Sequence, residues 1–317
     1  MGAIGGYFEL ETRRGEHYHR DAIRLNTARN CLEYILISRR YKKIYVPYYT
    51  CEVVLEPIRK LEVDFEFYSI DESLEPVLPA NVQNGEALLY TNYYGLKQPA
   101  VEKLAKQYRN LIVDNSQAFY AAPLAGTDTF YSARKFFGVP DGAYLYTSKP
   151  LEKTFEPDFS AGRMSHLLKR CDAGAEYGYA DFKKNDDSLI DNPIRQMSGL
   201  SERLLGGIDY DFARKTRQEN YQYLHRYLSG QNRLCLSEPG VEAVPMVYPF
   251  LSSDAGLRKK LIDRKIFVAT YWPNVFDWCG PQQWEYRLAE NLLPLPIDQR
   301  YGEKEMKEII TIIQNLR

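Results

Sequence analysis

Short, almost uninterrupted apolar runs alternate with stretches of helical spacing along the first 150 residues. Residues 43–47 (KIYVP), 64–70, 86–91 (EALLYT), 111–113 (LIV), 129–131 and 143–146 have the length and apolar content of buried strands. Between them, residues 26–40 place Leu32, Ile35 and Leu36 on one helical face, with Asn26 or Thr27 as the N-cap. Helices are also expected at about 50–61 and 101–108. Strands alternating with helices across short connections argue for an α/β domain with a mostly parallel sheet. Ligands of such sheets gather beyond the carboxyl ends of the strands. The residues at those ends are Tyr48 to Cys51, Asn92 to Tyr94, Asp114, and Ser132 to Lys135.

The second half reads differently. A helix is expected at about 160–170, followed by a long polar loop that includes the charged run 183–187 (KKNDD). Residues 200–228 are helical in pattern, with an interruption at Gly206-Gly207. Strands at 244–251, 266–271 and 293–297 then alternate with helices at 255–264, 281–291 and 303–316, which describes a smaller C-terminal α+β lobe. The expected division is 1–205 for a large domain and 206–317 for a small one.

Composition narrows the class of function. The chain is 44% hydrophobic and 26% charged with a formal net charge of -1, so no broad basic field points to nucleic acid or an anionic membrane surface. No apolar run approaches the roughly 20 residues that span a bilayer, and the opening residues lack the pattern of a secretory signal. Five scattered cysteines, Cys31, Cys51, Cys171, Cys235 and Cys279, form no C-x-x-C pair and are expected as reduced thiols in a cytoplasmic protein. The 26 tyrosines suit sites and interfaces that need an apolar body with a polar tip.

Several chemistries drop out. His17-x-His19 has no acidic or cysteine cluster to complete a metal site, and a solvated N-terminal pair is expected instead. There is no G-x-S-x-G elbow and no G-x-x-x-x-G-K-[ST] loop, and the GAIGG start follows no strand. What remains is the stretch 110–148, where Asp114 closes one buried strand and Lys135 follows another. An acid that keeps a pyridine nitrogen protonated and a lysine amine that forms a Schiff base are what a pyridoxal phosphate enzyme needs. The start of the helix at 26–30, with Arg29 in its first turn, is a natural phosphate seat, although taken alone it reads first as the cap of a surface helix.

Over nearly its whole length the chain resembles the DegT-like nucleotide-sugar aminotransferases, pyridoxal phosphate enzymes of the aspartate-aminotransferase-like fold type I. GGYFELE is similar to the family's opening, LNTARNCLEYIL to its phosphate-binding helix start, and IYVPYYTCEVVLEPI to its strand–turn–helix over the cofactor. DNSQAF resembles its Asp-x-x-Gln/His motif, YSARKFFGVPDGAYL its Ser…Lys…Gly segment, and LPIDQRYGEKEMKEI its C-terminal lobe. The resemblance implies a fold-type-I large domain with a small C-terminal lobe and an aminotransferase acting on a keto-sugar, nucleotide-linked, with an amino acid donor such as glutamate. It implies that Lys135 is catalytic and bonded to pyridoxal 5'-phosphate, that Asp114 pairs with the ring nitrogen, and that Gln117 bonds the phenolic oxygen. Arg29, Asn30 and Ser132 would hold the phosphate. Cys51 stands where many members place an aromatic over the ring, a role open to Tyr49 or Tyr93. A homodimer with shared sites is implied, with Asn192 as the residue reaching the partner. Two other readings stand beside it: a pyridoxamine-dependent sugar dehydratase, whose family variant has histidine in place of Lys135, and a degenerate cofactor-binding relative with a regulatory or assembly role.

Overall fold

The computed structural model describes residues 4–78, 82–234 and 240–315. Its centre is an eight-stranded sheet made of β1 (Ile23–Leu25), β2 (Lys43–Pro47), β3 (Asp64–Ile70), β4 (Pro76–Val77), β5 (Glu86–Thr91), β6 (Leu111–Asp114), β7 (Asp128–Ser132) and β8 (Ala143–Tyr146), in the order β1-β8-β7-β6-β5-β2-β3-β4. Strands β3, β2, β5, β6 and β7 pair in parallel. The edges turn antiparallel, β8 against β7, β1 against β8 and β4 against β3.

The uniform apolar runs are explained by burial on both faces. Along β5, Leu88 and Tyr90 enter one hydrophobic cluster while Ala87 and Leu89 enter a second. Along β6, Leu111 and Val113 face the first and Ile112 the second. Helices α1 (Ala28–Arg39) and α2 (Leu55–Lys60) cover the second cluster through Leu32, Ile35, Leu55 and Ile58. Helix α3 (Gln98–Gln107) covers the first, and so does most of the C-terminal half. A strand covered on both sides needs apolar residues at every position, whichever way its side chains alternate.

Several tyrosines serve this core. Tyr68, Tyr90 and Tyr93 are fully buried, and their hydroxyls donate to the carbonyls of Leu89, Leu74 and Tyr49 at 2.7–2.9 Å. A buried phenol that finds a carbonyl keeps its apolar gain without an unmade hydrogen bond.

Beyond β8 the chain forms α4 (Ser165–Ala173) and α5 (Ala175–Asp187), an antiparallel hairpin turned at Gly174 with φ +99. The expected long loop, with its charged run 183–187, is therefore helix. Lys169–Asp181 and Lys183 over the Tyr179 ring satisfy its polar face. Helices α6 (Gly199–Gly206) and α7 (Tyr210–Leu228) follow, broken at Gly207 as the glycine pair predicts. The remainder holds β9 (Val247–Leu251), α8 (Leu257–Asp263), α9 (Val275–Trp278), α10 (Trp284–Asn291), β10 (Leu292–Pro296) and α11 (Glu303–Asn315). Strands β9 and β10 pair antiparallel as a two-stranded sheet. The strand expected at 266–271 does not form, and that segment is irregular. Cys31, Cys51, Cys171 and Cys279 are free thiols. Cys235 and the expected end of the last helix at Leu316 lie outside the described residues.

The histidine pair also departs from expectation. His17 and His19 are 7% and 2% exposed, packed among aromatic rings from distant strands. His17 Nδ1 lies 2.7 Å from the Tyr144 hydroxyl, and His19 Nε2 donates to the Phe119 carbonyl at 2.8 Å.

Candidate functional site

Four parallel strands, β2, β5, β6 and β7, deliver their carboxyl ends to one edge of the sheet. Strand β1 runs antiparallel to β8 and so ends at the same edge, where it feeds directly into α1. That path brings the first turn of α1 to the ends of β6 and β7. Between them lies a cavity of about 210 Å³ lined by Thr27, Ala28 and Arg29, by Cys51, by Asp114 and Ser116, and by Ser132, Arg134 and Lys135. Asp186 of α5 and the aromatic pair Tyr271 and Trp272 close it.

The start of α1 is built to meet an anion. Thr27 caps it, its hydroxyl accepting from Asn30 N–H at 3.1 Å, so the amides of Ala28 and Arg29 keep no intrahelical partner. Gly142 forms part of the wall with φ +124, and an added Cβ would stand 3.3 Å from Met197 Cε. The backbone conformation and the close packing both favour glycine here.

The expected site residues divide. Asp114, Ser132, Cys51 and Lys135 all line the cavity. Asp114 is buried and accepts from Ser116 N–H at 2.7 Å. Lys135 sits at the end of a single 3-10 turn after β7 with its side chain exposed at the cavity's rim. Burial pushes the Cys51 thiol up, with Lys135 nearby opposing the rise. Arg29 lines the cavity too, but its guanidinium is committed to Glu56 at 2.7 Å and to the Leu189 carbonyl at 3.2 Å.

Asn30 does not reach the cavity. Its amide donates to Glu33 and to the Asn192 carbonyl, and its oxygen accepts from Thr27, because the side chain turns back along the buried flank of α1. Tyr49 and Tyr93 are fully buried below the wall, and Tyr49 shares a 2.9 Å hydroxyl contact with Tyr94. Gln117 lies outside the lining. Its oxygen accepts from Tyr94 N–H at 2.8 Å while its buried Nε2 has no partner. Asn192 lines no part of the cavity either.

Sequence reasoning placed Arg134 at the end of β7 without giving it a role, and it missed Asp186, Tyr271 and Trp272. Arg134 donates to Asp186 at 3.1 Å, and burial lowers the pKa of its guanidinium. Asp186 belongs to the helix read as loop, so no periodicity marked it. Tyr271 and Trp272 arrive from the irregular segment after 266, where an aromatic pair before Pro273 was the one available signal.

Lys135 and Arg134 also bound a second cavity of about 580 Å³ on their other side. His166, Arg170 and Arg300 line it, and Asp298 is held by Arg300 at 2.6 Å. His166 is 7% exposed and its Nδ1 has no partner. Among the described residues no group of His, Cys, Asp and Glu could hold a metal ion, and no helix is long and apolar enough to cross a membrane.

No family model matches the chain, and no curated protein matches it by sequence. Solved structures do match its fold. The sugar aminotransferase CalS13 from Micromonospora echinospora aligns at 15% identity over 93% of this chain and 87% of its own, with a TM-score of 0.62. Spr1654 from Streptococcus pneumoniae, assigned as a sugar aminotransferase and solved in its PMP form, aligns at 14% identity over 93% and 87%, with a TM-score of 0.64. A DegT DnrJ EryC1 StrS aminotransferase from Brucella abortus aligns at 13% identity over 93% and 85%, with a TM-score of 0.62. The chain has the fold of these proteins: a mostly parallel central sheet flanked by helices, with the C-terminal elements packed beside it.

Proposed function

We propose that this chain is a pyridoxal phosphate-dependent aminotransferase that acts on a keto-sugar with an amino acid donor such as glutamate. One observation carries the reading. Asp114, closing β6, and Lys135, following β7, line one cavity whose opposite wall is the amide-bearing start of α1. The donor set fits the cofactor. Free helix amides and the Ser132 hydroxyl suit a phosphate, and a buried carboxylate suits a pyridine nitrogen.

When bound, pyridoxal phosphate supplies an electron sink for the charge left on a substrate carbon that loses its proton. The protein's residues do the remaining work. Asp114 would orient the ring through its nitrogen, and the start of α1 would anchor the phosphate end, so that the reacting carbons face one amine. With the cofactor bound, Lys135 Nζ would hold its aldehyde carbon at rest, and as a free amine would take the proton from the donor's carbon in one half-reaction and deliver a proton to the acceptor's carbon in the other. Tyr271 and Trp272 exclude water from that side.

The second cavity supports an anionic acceptor, and we take the keto-sugar to be nucleotide-linked for that reason: Arg170 and Arg300 suit a diphosphate. We place the enzyme in the cytoplasm as a homodimer, with Asn192 as the side chain to test for a contribution to a second copy's site. We keep the division at 206 as the boundary of the smaller lobe.

Mixing the purified protein with pyridoxal phosphate should produce visible absorption that borohydride traps on Lys135, located by peptide mass, and that an amino donor bleaches. Lys135→Ala should abolish the trapped product. A product trapped on another lysine, or absorption unmoved by every amino acid tried, rejects the reading.

A further inference from the structure

Among the described residues, the Lys135 side chain makes no hydrogen bond and no ion pair. Its placement is therefore set by the backbone on either side. On one side Arg134 is tied to Asp186. On the other stands Phe136, and its anchorage is unusual.

Arg217 of α7 is 2% exposed, and its partners are neutral. Nε donates to Gln299 Oε1 at 3.1 Å, Nη1 to the Met246 carbonyl at 2.9 Å and Nη2 to the Phe136 carbonyl at 3.3 Å. The guanidinium also lies 4.5 Å from the centroid of the Phe136 ring. Gln299 Nε2 donates to the same Phe136 carbonyl at 3.0 Å. Residue 136 is thus held by both lone pairs of its carbonyl and by the face of its ring. Burial lowers the Arg217 pKa to about 10, which leaves it charged at neutral pH. A buried cation without a contacting carboxylate is costly, and a neutral donor could satisfy any one of these acceptors. Only a planar, multiply donating group reaches three acceptors from different segments while stacking on a ring.

We propose that Arg217 and Gln299 are positioning residues for Lys135: by gripping Phe136 they set where the lysine amine stands between the two cavities, and they link that placement to the C-terminal half of the chain. The proposal rests on Lys135 being the reacting amine. It assigns α7 and the 297–301 segment a part in the chemistry that no contact with the first cavity would suggest.

The test uses the whole chain, with Arg217→Lys, Arg217→Met and Gln299→Ala. Gln299→Ala removes one of the two donors to the Phe136 carbonyl and leaves Arg217 its Met246 and Phe136 acceptors, so it keeps the test available where Arg217→Met fails to fold. Three readouts are taken: the rate at which pyridoxal phosphate plus borohydride labels Lys135, the pH midpoint of the visible absorption, and hydrogen exchange at residues 133–139 in the cofactor-free protein. We expect Gln299→Ala and Arg217→Met to label Lys135 about 10-fold to 100-fold more slowly with a displaced pH midpoint, and exchange at 133–139 to quicken. Arg217→Lys should recover only part of the rate. Variants that are less stable to heat yet label Lys135 at the parent rate, with the parent midpoint, overturn the proposal and leave the functional reading intact. A parent protein that is not labelled at Lys135 overturns both.

Discussion

Replacing His19 with phenylalanine should make the protein markedly less sensitive to acid. His19 is enclosed by Phe119, Tyr131, Tyr144 and Tyr146, with the Tyr131 ring centroid 4.1 Å away. Its Nε2–H is given to the Phe119 carbonyl, so the neutral ring presents Nδ1 as an acceptor to the Tyr146 hydroxyl at 3.3 Å. Protonation would put a charge where no anion faces it, and burial pushes the pKa down to about 4 from an ordinary 6.5, only partly opposed by the Phe119 hydrogen bond. A base whose folded pKa is depressed contributes stability that is complete above the unfolded value, and loses it as pH falls from the unfolded value toward the folded one. At about pH 5, some 1.5 units below the unfolded value, the expected loss is about 2 kcal/mol at roughly 1.4 kcal/mol per unit. Urea unfolding of the parent and of His19→Phe, each at about pH 7.5 and about pH 5, isolates this contribution because the other titrating groups cancel in the double difference. The parent should lose about 2 kcal/mol more than the variant. A double difference below about 0.5 kcal/mol would mean that the imidazole meets water or an anion in solution, and the burial argument would fall.

Three further outcomes follow from particular contacts. Arg39 grips the buried Asp128 at the head of β7 through two 2.7 Å bonds, so Arg39→Met should cost about 2–3 kcal/mol in urea, and adding Asp128→Leu should restore most of it. Thr27→Ala removes the cap of α1 and should cost about 1 kcal/mol; on the proposed function it should also weaken pyridoxal phosphate binding, measured by absorbance titration. Asp114→Asn should leave borohydride trapping on Lys135 in place while slowing the half-reaction with an amino donor by about a hundredfold or more in stopped flow, and an unchanged rate would remove Asp114 from its assigned role.

Local pattern alone determined a good part of this protein. The apolar runs 86–91, 111–113 and 129–131 read as buried strands of one sheet, and the ends of the last two named Asp114, Ser132 and Lys135 as neighbours on one edge. The cap at Thr27 and the break at the Gly206-Gly207 pair were legible because capping and backbone freedom act within one turn. Tertiary structure decided the rest, for reasons that lie far apart in sequence. Helix α5 forms where polar composition suggested a loop, since its pairing with α4 satisfies a face that no short window reveals. Arg29 is claimed by Glu56 and Asn30 by Glu33, which leaves the partnerless first amides of α1 as the donors at the cavity. His17 and His19 are buried because rings from β8 and the segment after β6 close over them. The same holds for Arg217, whose partners span residues 136 to 299. A periodicity can say that a position is inside, but which polar group stands ready for a ligand depends on partners that only the folded chain brings within 3 Å.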